Sequence, residues 1–572
     1  MKKEINTPWY KSYYGIRKHI DYPDYGIYDQ FQESCRKYPK FTAFNYFGKK
    51  SSFNEVLKHV DDCARALKSL GINKKDVVTI CMPNTPEAII MFYAVNKIGA
   101  ISNIIHPLSA ENEIKYALKL SKSKIILTID LAWEKVKKVL DKTNIEYSII
   151  ASVKDSMPSV MSLGYYVTSG KNVKEPIWSE KVISFDDFMD LEKSYKGEIN
   201  EKLKGKDEAV ILYSGGTTGT SKGIVLTNLN FNAIARQCYE GCLCLTPGMS
   251  VLSIMPIFHG FGLGVCFHTP LSFGVTAIIL PQFSAKTFDK LLKKYKPNIL
   301  VGVPTLYEAL LGNKNLKNTD LSFIKCAICG GDVLTTALKE KINKYFKEHN
   351  CDIGIREGYG LTECVAASCL TPYSQSKKGS IGIPLPDMFY KIVKIGTEEE
   401  VPYGTDGEIV ISGPSVMKGY LNNRKETKLV LRKHDDGKVW LHTGDLGSMD
   451  KNGFVYFKQR IKRMIVSSGY NLYPARIENV IEELPIVLKS CVVGVPHPYK
   501  IEVAKAFVVL KDGIEPNETI RNQIYNHCVK NLAKYSLPYE IEFIKELPRT
   551  KVNKIDYRKL QEEEKLKKDN NK

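Results

Sequence analysis

The sequence contains no uninterrupted apolar run of the roughly 20 residues that a membrane-spanning helix needs. The nearest approach, residues 241–285, is free of Asp, Glu, Lys and Arg, yet Pro247, Pro256, Pro270, His259, His268 and repeated glycines divide it into short pieces. Such a stretch reads as the floor of a buried pocket. No signal peptide is expected, because Met1 to Asp21 is polar and charged. The 14 cysteines lack the regular spacing of a small disulfide scaffold, so a reducing cytoplasm is the expected setting. Cys326 and Cys329 form a C-x-x-C, but no second one completes a zinc site. Their apolar run Cys326-Ala327-Ile328-Cys329 reads as a buried strand. Acidic residues are outnumbered, 63 against 82 Lys and Arg, for a net charge of +19. That excess suits an acidic partner: nucleotide phosphates, an anionic membrane surface or nucleic acid. The lysines are spread along the chain and no zinc-finger or basic-zipper motif occurs, so a solvated surface is the default reading and nucleic acid is disfavoured. Internal repeats are absent as well.

What the chain does contain is an alternation of helical and strand patterns. With 572 residues, it predicts two to four domains at roughly 100 to 250 residues each. Helical spacing runs from Ser52 to Leu70 and from Pro86 to Ile98. Apolar strand patterns fall at Asp76 to Met82, Ile101 to Ile105 and Lys124 to Ile129. Residues Ser152 to Ser184 interrupt this order as a surface insertion, whose apolar patch from Met157 to Tyr166 either packs or touches a membrane surface. The alternation then resumes: a helix from an Asn228 cap through Cys238, strand Val251 to Met255, an apolar helix from Gly260, strand Thr276 to Leu280, a helix capped by Ser284, and strand Asn298 to Val303. Parallel strands joined by crossover helices follow from this pattern. Past Gly404 the texture turns β-rich, at Gly407 to Gly413, Lys438 to His442 and Gly453 to Gln459. Beyond Arg460 comes a smaller α+β unit, with a helix from Pro474 to Glu483 and strands near Cys491 to Val495 and Ala504 to Leu510. It ends in a charged tail, Lys565 to Lys572, that is expected to be disordered. The predicted class is α/β: a large N-terminal region of mostly parallel sheets with a β-rich subdomain (residues 1–459), a hinge (460–463) and a small mobile C-terminal α+β domain (464–572).

The densest chemical signal is Tyr213 to Gly223. It reads Tyr-Ser-Gly-Gly-Thr-Thr-Gly-Thr-Ser-Lys-Gly, directly after the apolar run Ala209-Val210-Ile211-Leu212. A buried strand ending in glycines, hydroxyls and one lysine suits a phosphate. Glycines admit close approach, amide and hydroxyl donors wrap the oxygens, and Lys222 adds positive charge. A Walker loop is excluded by spacing, because Thr220 and Ser221 separate Gly219 from Lys222.

Further segments stand in a fixed order: Pro256-Ile257-Phe258-His259-Gly260, Gly358-Tyr359-Gly360-Leu361-Thr362-Glu363, His442-Thr443-Gly444-Asp445, Arg460-Ile461-Lys462 with Gly469-Tyr470, and Pro548-Arg549-Thr550 leading to Lys554. Together with the glycine-rich loop, this order and spacing resemble the adenylate-forming superfamily of acyl-CoA synthetases, luciferases and peptide-synthetase adenylation domains. The likeness extends over about residues 26 to 560.

The resemblance implies roles residue by residue. Ser214, Gly215, Gly216, Thr217, Thr218, Gly219 and Lys222 match the clamp for the outgoing β- and γ-phosphates of ATP. Gly330, Gly331 and Asp332 resemble the segment closing one side of the adenine, with Tyr359 stacking on the other beside Gly360. Thr362 matches the residue holding the α-phosphate, and Glu363 the magnesium ligand, a hard oxygen donor suited to that cation. Asp445 is similar to the ribose-binding carboxylate, assisted by Arg460. His259 borders the acyl-carboxylate site, Lys462 is the hinge, and Gly469 lets pantetheine pass close to the backbone. Lys554 matches the catalytic lysine that bridges carboxylate and α-phosphate, two anions that need charge neutralisation and alignment. The sequence departs from the usual pattern at Ser221, where proline is common, at Arg463, often acidic, and at Asn553, usually glycine.

No aspartate stands at the His259 position to hold a substrate ammonium, which disfavours amino acids. Gly260, Gly262 and Gly264 beside Phe261 and Leu263 are expected to leave room for an apolar chain. The implied reaction converts a carboxylic acid, medium- to long-chain fatty acid by its apolar pocket segment, with ATP, Mg2+ and coenzyme A to acyl-CoA, AMP and pyrophosphate. An aryl or short-chain acid, a carrier protein in place of CoA, and a catalytically silent acyl or nucleotide binder remain alternatives, as do monomer and homodimer and a weak peripheral membrane contact.

Overall fold

Helices that are apolar on one stripe cover two sheets whose central strands are apolar on both faces, the pattern that parallel strands buried on both sides require. The computed structural model describes residues 5–159, 161–162, 174–214, 221–467, 470–497, 499–532, 534–550 and 554–569. Among these, one sheet has eight strands in the order Gly419–Tyr420, Lys222–Thr227, Glu208–Ser214, Ile101–Ile104, Val77–Cys81, Ile125–Ile129, Tyr147–Ala151 and Val182–Ser184. From Glu208–Ser214 to Val182–Ser184 every neighbour is parallel. The second sheet has nine strands: Ile383–Pro384, Cys369–Leu370, Arg356–Tyr359, Cys326–Gly330, Ile299–Gly302, Ser250–Ser253, Thr276–Ile279, Thr42–Tyr46 and Lys49–Ser52. It is parallel from Arg356–Tyr359 to Thr42–Tyr46 and antiparallel at both edges.

The predicted helix ends hold closely where a cap marks them. Ser52 caps helix Phe53–Ser69 with a reciprocal Glu55 contact, and Thr85 with Pro86 starts helix Pro86–Lys97. That second helix is buried on every face, as its all-round apolar sequence demands. It carries two buried ionisable side chains with it: Lys97 Nζ pairs with Asp61 at 2.5 Å, and Glu87 accepts a hydrogen bond from the Ser156 hydroxyl.

Several expectations are corrected. Thr227, not Asn228, caps the helix Asn228–Cys242, because the Thr227 hydroxyl accepts from Asn230 N while Asn228 Oδ1 is engaged by Asn96 and Ile27. The apolar helix expected from Gly260 is present, as a π-helix from Phe261 to His268. Ser284 precedes a short 3-10 turn without a side-chain cap, and the helix proper is Phe288–Tyr295. Of the charged tail Lys565 to Lys572, residues 565–569 continue the helix Tyr557–Asp569, because Leu560 packs into an apolar cluster with Cys491 and Phe507 while Glu564 pairs with buried Lys505 at 2.9 Å; residues 570–572 lie outside the described residues. In the insertion Met157 is buried and Met161 exposed; residues 160 and 163–166 of that patch lie outside the described residues.

The β-rich segment is an antiparallel sheet of Phe389–Val393, Gly407–Ser412, Val439–Met449, Leu431–Lys433 and Val455–Arg460. The last unit has its own five-stranded sheet, Tyr470–Leu472, Ile465–Ser467, Ile501–Leu510, Val487–His497 and Glu540–Phe543, and its own apolar clusters. No helix among the described residues is long and apolar enough to cross a membrane.

Candidate active site

The carboxyl ends of the parallel strands in both sheets face one crevice, where open α/β sheets bind ligands. Val77–Cys81 leads to Pro83 and Asn84, Ile101–Ile104 to His106, Ser250–Ser253 to Met255, Cys326–Gly330 to Asp332 and Arg356–Tyr359 to Gly360, all lining a cleft of about 1940 Å³. The volume exceeds the few hundred to about 1000 Å³ of a single small-molecule pocket, so more than one substrate group has room.

At one wall stands a buried carboxylate. Asp445 pairs in register with Arg460 across antiparallel strands, and the Arg460 Nε lies 3.0 Å from its Oδ1. The Tyr359 hydroxyl donates to Asp445 Oδ2 at 2.6 Å. Oδ1 is buried and accepts no hydrogen bond; the Arg460 approach is an ion-pair contact. Burial pushes the Asp445 carboxyl up, opposed chiefly by the Arg460 charge and then by the Tyr359 hydroxyl. An oriented acid with one oxygen still seeking a donor is what a sugar hydroxyl would complete.

The second cluster surrounds Glu363. The Tyr420 hydroxyl donates to Glu363 Oε1 at 3.0 Å, and Met417 N donates to the Glu363 carbonyl at 2.8 Å. Lys222 lies over the Tyr420 ring, 4.9 Å from its centroid, and is ion-paired with Glu426. Lys222 thus reaches the cleft from the end of strand Lys222–Thr227, opposite Ser214 in the hairpin.

His259 begins the turn into the π-helix. Its Nε2 is buried without a hydrogen-bond partner, and burial, with the positive charge of Lys554 and the neighbouring His106, lowers its pKa to about 4. It is neutral at physiological pH. Asn84 fastens this turn, its Nδ2 donating to Met255 O at 3.1 Å and its Oδ1 accepting from Ile257 N at 3.0 Å. The expectation that Gly260, Gly262 and Gly264 open space for an acyl chain is overturned. A methyl at Gly260 would fall 1.3 Å from Val365 O, one at Gly262 2.0 Å from Pro256 O, and one at Gly264 2.6 Å from a Val365 methyl. At Gly260 and Gly264 the absent side chains let the His259 turn press against Val365 of the Glu363 turn, and at Gly262 the chain closes on its own Pro256 carbonyl. The apolar walls come instead from Phe261, Val265, Cys238, Cys242, Leu370 and Leu385.

Lys554 enters the same cleft from the last unit, open to solvent on one side. Its backbone is held in a turn with Thr550 N donating to Lys554 O at 2.7 Å. Lost hydration lowers its pKa; Asp332 and Asp445 oppose that shift and Arg460 adds to it, so the fields of these groups meet at the ammonium. Between the β-rich sheet and the last unit, Ile461–Arg463 is a single 3-10 turn. Lys462 faces the cleft. Arg463 lines it too but is tied to the last unit: its Nη2 donates to Glu478 at 2.5 Å and Val492 O at 3.2 Å, and its guanidinium covers the Tyr557 ring.

The cleft therefore gathers Lys222, His259, Gly330, Gly331, Asp332, Tyr359, Gly360, Thr362, Glu363, Asp445, Arg460, Lys462 and Lys554. Gly215, Gly216, Thr217, Thr218, Gly219, Gly469 and the Asn553 departure lie outside the described residues, as does the side chain of Ser214. Sequence reading missed Asn84, Tyr420 and Glu426, which hold the His259 turn, Glu363 and Lys222. Only Asn84 left a signal, the Pro-Asn-Thr-Pro turn at a strand's carboxyl end.

The sequence matches the AMP-binding enzyme family over residues 31–421 and the AMP-binding enzyme C-terminal domain over residues 476–554. It is 35% identical over 570 residues to the Long-chain-fatty-acid–CoA ligase of Bacillus subtilis (strain 168), covering 98% of this chain and 99% of that one. Among solved structures, an ATP-bound RpMatB-BxBclM chimera aligns with a TM-score of 0.82 at 25% identity, over 95% of this chain and 99% of that one. A Mycobacterium tuberculosis fatty acyl CoA synthetase aligns with a TM-score of 0.67 at 26% identity, over 94% and 98%.

Proposed function

The chain belongs to the AMP-binding enzyme family and is an AMP-forming acyl-CoA synthetase, and from that premise we propose that its cleft activates a medium- to long-chain fatty acid and passes the acyl group to coenzyme A. The observation that carries this reading is the convergence of Asp445, Glu363, His259 and Lys554 on one cleft with an apolar wall.

In the first half-reaction a carboxylate oxygen attacks the α-phosphorus of ATP, the bond to the bridging oxygen breaks, and pyrophosphate leaves. Asp445 Oδ1 takes the ribose hydroxyls, and Tyr359, Gly330, Gly331 and Asp332 enclose the adenine. Thr362 donates to the α-phosphate. Residues 214–219 and Lys222 hold the departing phosphates. Lys554 lies between the two reacting anions, whose mutual repulsion its charge offsets. His259, being neutral, borders the carboxylate without adding an unpaired charge to an apolar wall. Glu363 suits magnesium: its Oε1 is fixed by Tyr420, and a carboxylate in an open cleft is a hard oxygen donor. When bound there the ion supplies charge neutralisation for the phosphates. In the second half-reaction the thiolate of coenzyme A attacks the acyl carbon and AMP departs. The three-residue turn at Lys462, with Arg463 locked to the last unit through Glu478, is the hinge about which that unit, residues 464–572, turns to admit the thiol; by family resemblance Gly469 is the glycine that lets pantetheine pass close to the backbone. All cysteines are free, which supports a reducing, cytoplasmic setting.

The test is pyrophosphate release from ATP and magnesium over acids of graded length, with aryl acids alongside and either CoA or a carrier protein as acceptor. Turnover should peak for medium to long chains with CoA. Release with none of the acids would overturn the enzyme reading, and a preference for aryl acids would overturn the substrate class.

A further inference from the structure

Three thiols from two stretches of the chain meet beside the cleft wall that Cys242 lines. Cys242 ends helix Asn228–Cys242, Cys244 lies just beyond it, and Cys326 opens strand Cys326–Gly330. Their sulfurs all lie within 4.8 Å of one another. The turn that brings Cys244 back beside Cys242 is locally unfavourable. Leu243 adopts the left-handed region at φ 54° and ψ 16°, rarely used by a residue with a Cβ, and leaves its apolar side chain 47% exposed.

A buried charge stands beneath the same turn. Arg356, only 6% exposed, donates from Nη1 to Cys242 O at 2.7 Å, from Nη2 to Gly241 O at 2.9 Å and from Nε to Thr371 O at 2.7 Å. All three acceptors are neutral carbonyls, and among the described residues no carboxylate pairs with it. A guanidinium held out of water without a counter-charge is costly. Three thiolates around a divalent cation carry a net charge of −1 and would supply that counter-charge at the end of the helix to which Arg356 is bonded.

We propose that Cys242, Cys244 and Cys326 form a site for a thiophilic d10 cation, with Zn2+ as the divalent ion that Arg356 complements. A Zn–S length of about 2.3 Å sets neighbouring sulfurs roughly 3.8 Å apart in a tetrahedron, so the observed triangle needs only a small side-chain closure. Cys242 and Cys326 are buried and Cys244 is half-buried, which gives the ion a route from solvent and leaves its fourth position for water. The ion would tie the end of the helix that supplies Cys238 and Cys242 to the cleft wall to the strand that ends in Gly330. Its part is structural, joining the apolar wall to the wall around Gly330 and Gly331. The sequence reading missed it because the pair is C-x-C, and its third member is the C-x-x-C residue that lacked a partner motif.

The full chain is stripped with chelator under reductant and titrated with Zn2+ against a chromophoric chelator, and in parallel with Cd2+ while the near-ultraviolet sulfur-to-cadmium charge-transfer band is followed. One tight equivalent and a cadmium band are expected. Both should weaken at least tenfold in Cys244→Ser and Cys326→Ser and persist in Cys329→Ser, the strand neighbour outside the triangle. Should buried Cys326→Ser fail to fold, Cys244→Ser, on the half-exposed turn, decides alone, and Zn2+ should raise the melting temperature of the wild type but not of that variant. A wild type without the cadmium band, or a tight equivalent that survives in Cys244→Ser, overturns the site. So does a disulfide between two of the three cysteines under mild oxidant together with no Zn2+ binding by the reduced protein, which would assign a redox pair instead.

Discussion

Gly260→Ala tests how the two turns of the cleft are held. The added methyl would lie 1.3 Å from the Val365 carbonyl oxygen and 2.5 Å from its carbon, whereas real Cβ contacts stay above 3.0 Å. The turns bearing His259 and Glu363 must therefore part by about 1.7 Å, the 3.0 Å limit less 1.3 Å. Neither side yields easily. Val365 is fully buried and, though β-branched, is held at φ 65°. Gly360 repeats the same close approach against Ala366 O, where a methyl would fall 1.6 Å away, and Met417 N anchors the Glu363 carbonyl. Overpacking costs about 1–3 kcal/mol of stability, while a misplacement of about 1 Å near reacting groups costs roughly a hundredfold in rate. The expected outcome is a folded protein with a lowered melting temperature and kcat/KM down at least ~100-fold. Pyrophosphate release at varied acid and ATP, beside thermal melts and near-ultraviolet circular dichroism, measures both. A variant that keeps activity within about threefold of wild type would show that the two turns are not rigidly coupled.

Two further outcomes follow from single contacts. Tyr359→Phe removes a hydrogen bond to a buried carboxylate, an interaction of about 1.5–3 kcal/mol. The KM for ATP should rise roughly 10- to 100-fold while the KM for the acid changes little; an unchanged ATP dependence would refute the nucleotide role of Asp445. Burial raises the Glu87 carboxyl to about 7, opposed by its Ser156 bond. Because the folded pKa lies above the unfolded one, its contribution is fully present below about pH 4.5 and lost as pH rises through 7. Urea unfolding of wild type should therefore show a stability loss across that interval, on the order of 3 kcal/mol, that Glu87→Gln lacks. Equal pH slopes in the two proteins would contradict it.

The fold was largely legible because its signals are local. Caps at Ser52 and Thr85 and apolar strand runs such as Ile125–Ile129 mark elements wherever they pack. The charged tail misled because its helix is stabilised at a distance, by Lys505 and the cluster around Leu560. The glycines after His259 misled for a related reason. Composition reveals that side chains are absent, and only the tertiary structure shows that the Val365 backbone fills the space. The motif residues of the cleft could be named from order and spacing, while Asn84, Tyr420 and Glu426 act through partners far away in sequence.

The central claim is that this cleft makes an acyl-adenylate with Lys554 at the reacting anions. ATP–pyrophosphate exchange in Lys554→Ala, measured beside CoA thioester formation from a supplied acyl-adenylate, tests it most directly. Exchange should fall to background while thioester formation stays close to wild type. Exchange that persists, or loss of both half-reactions together, would contradict the role assigned to Lys554.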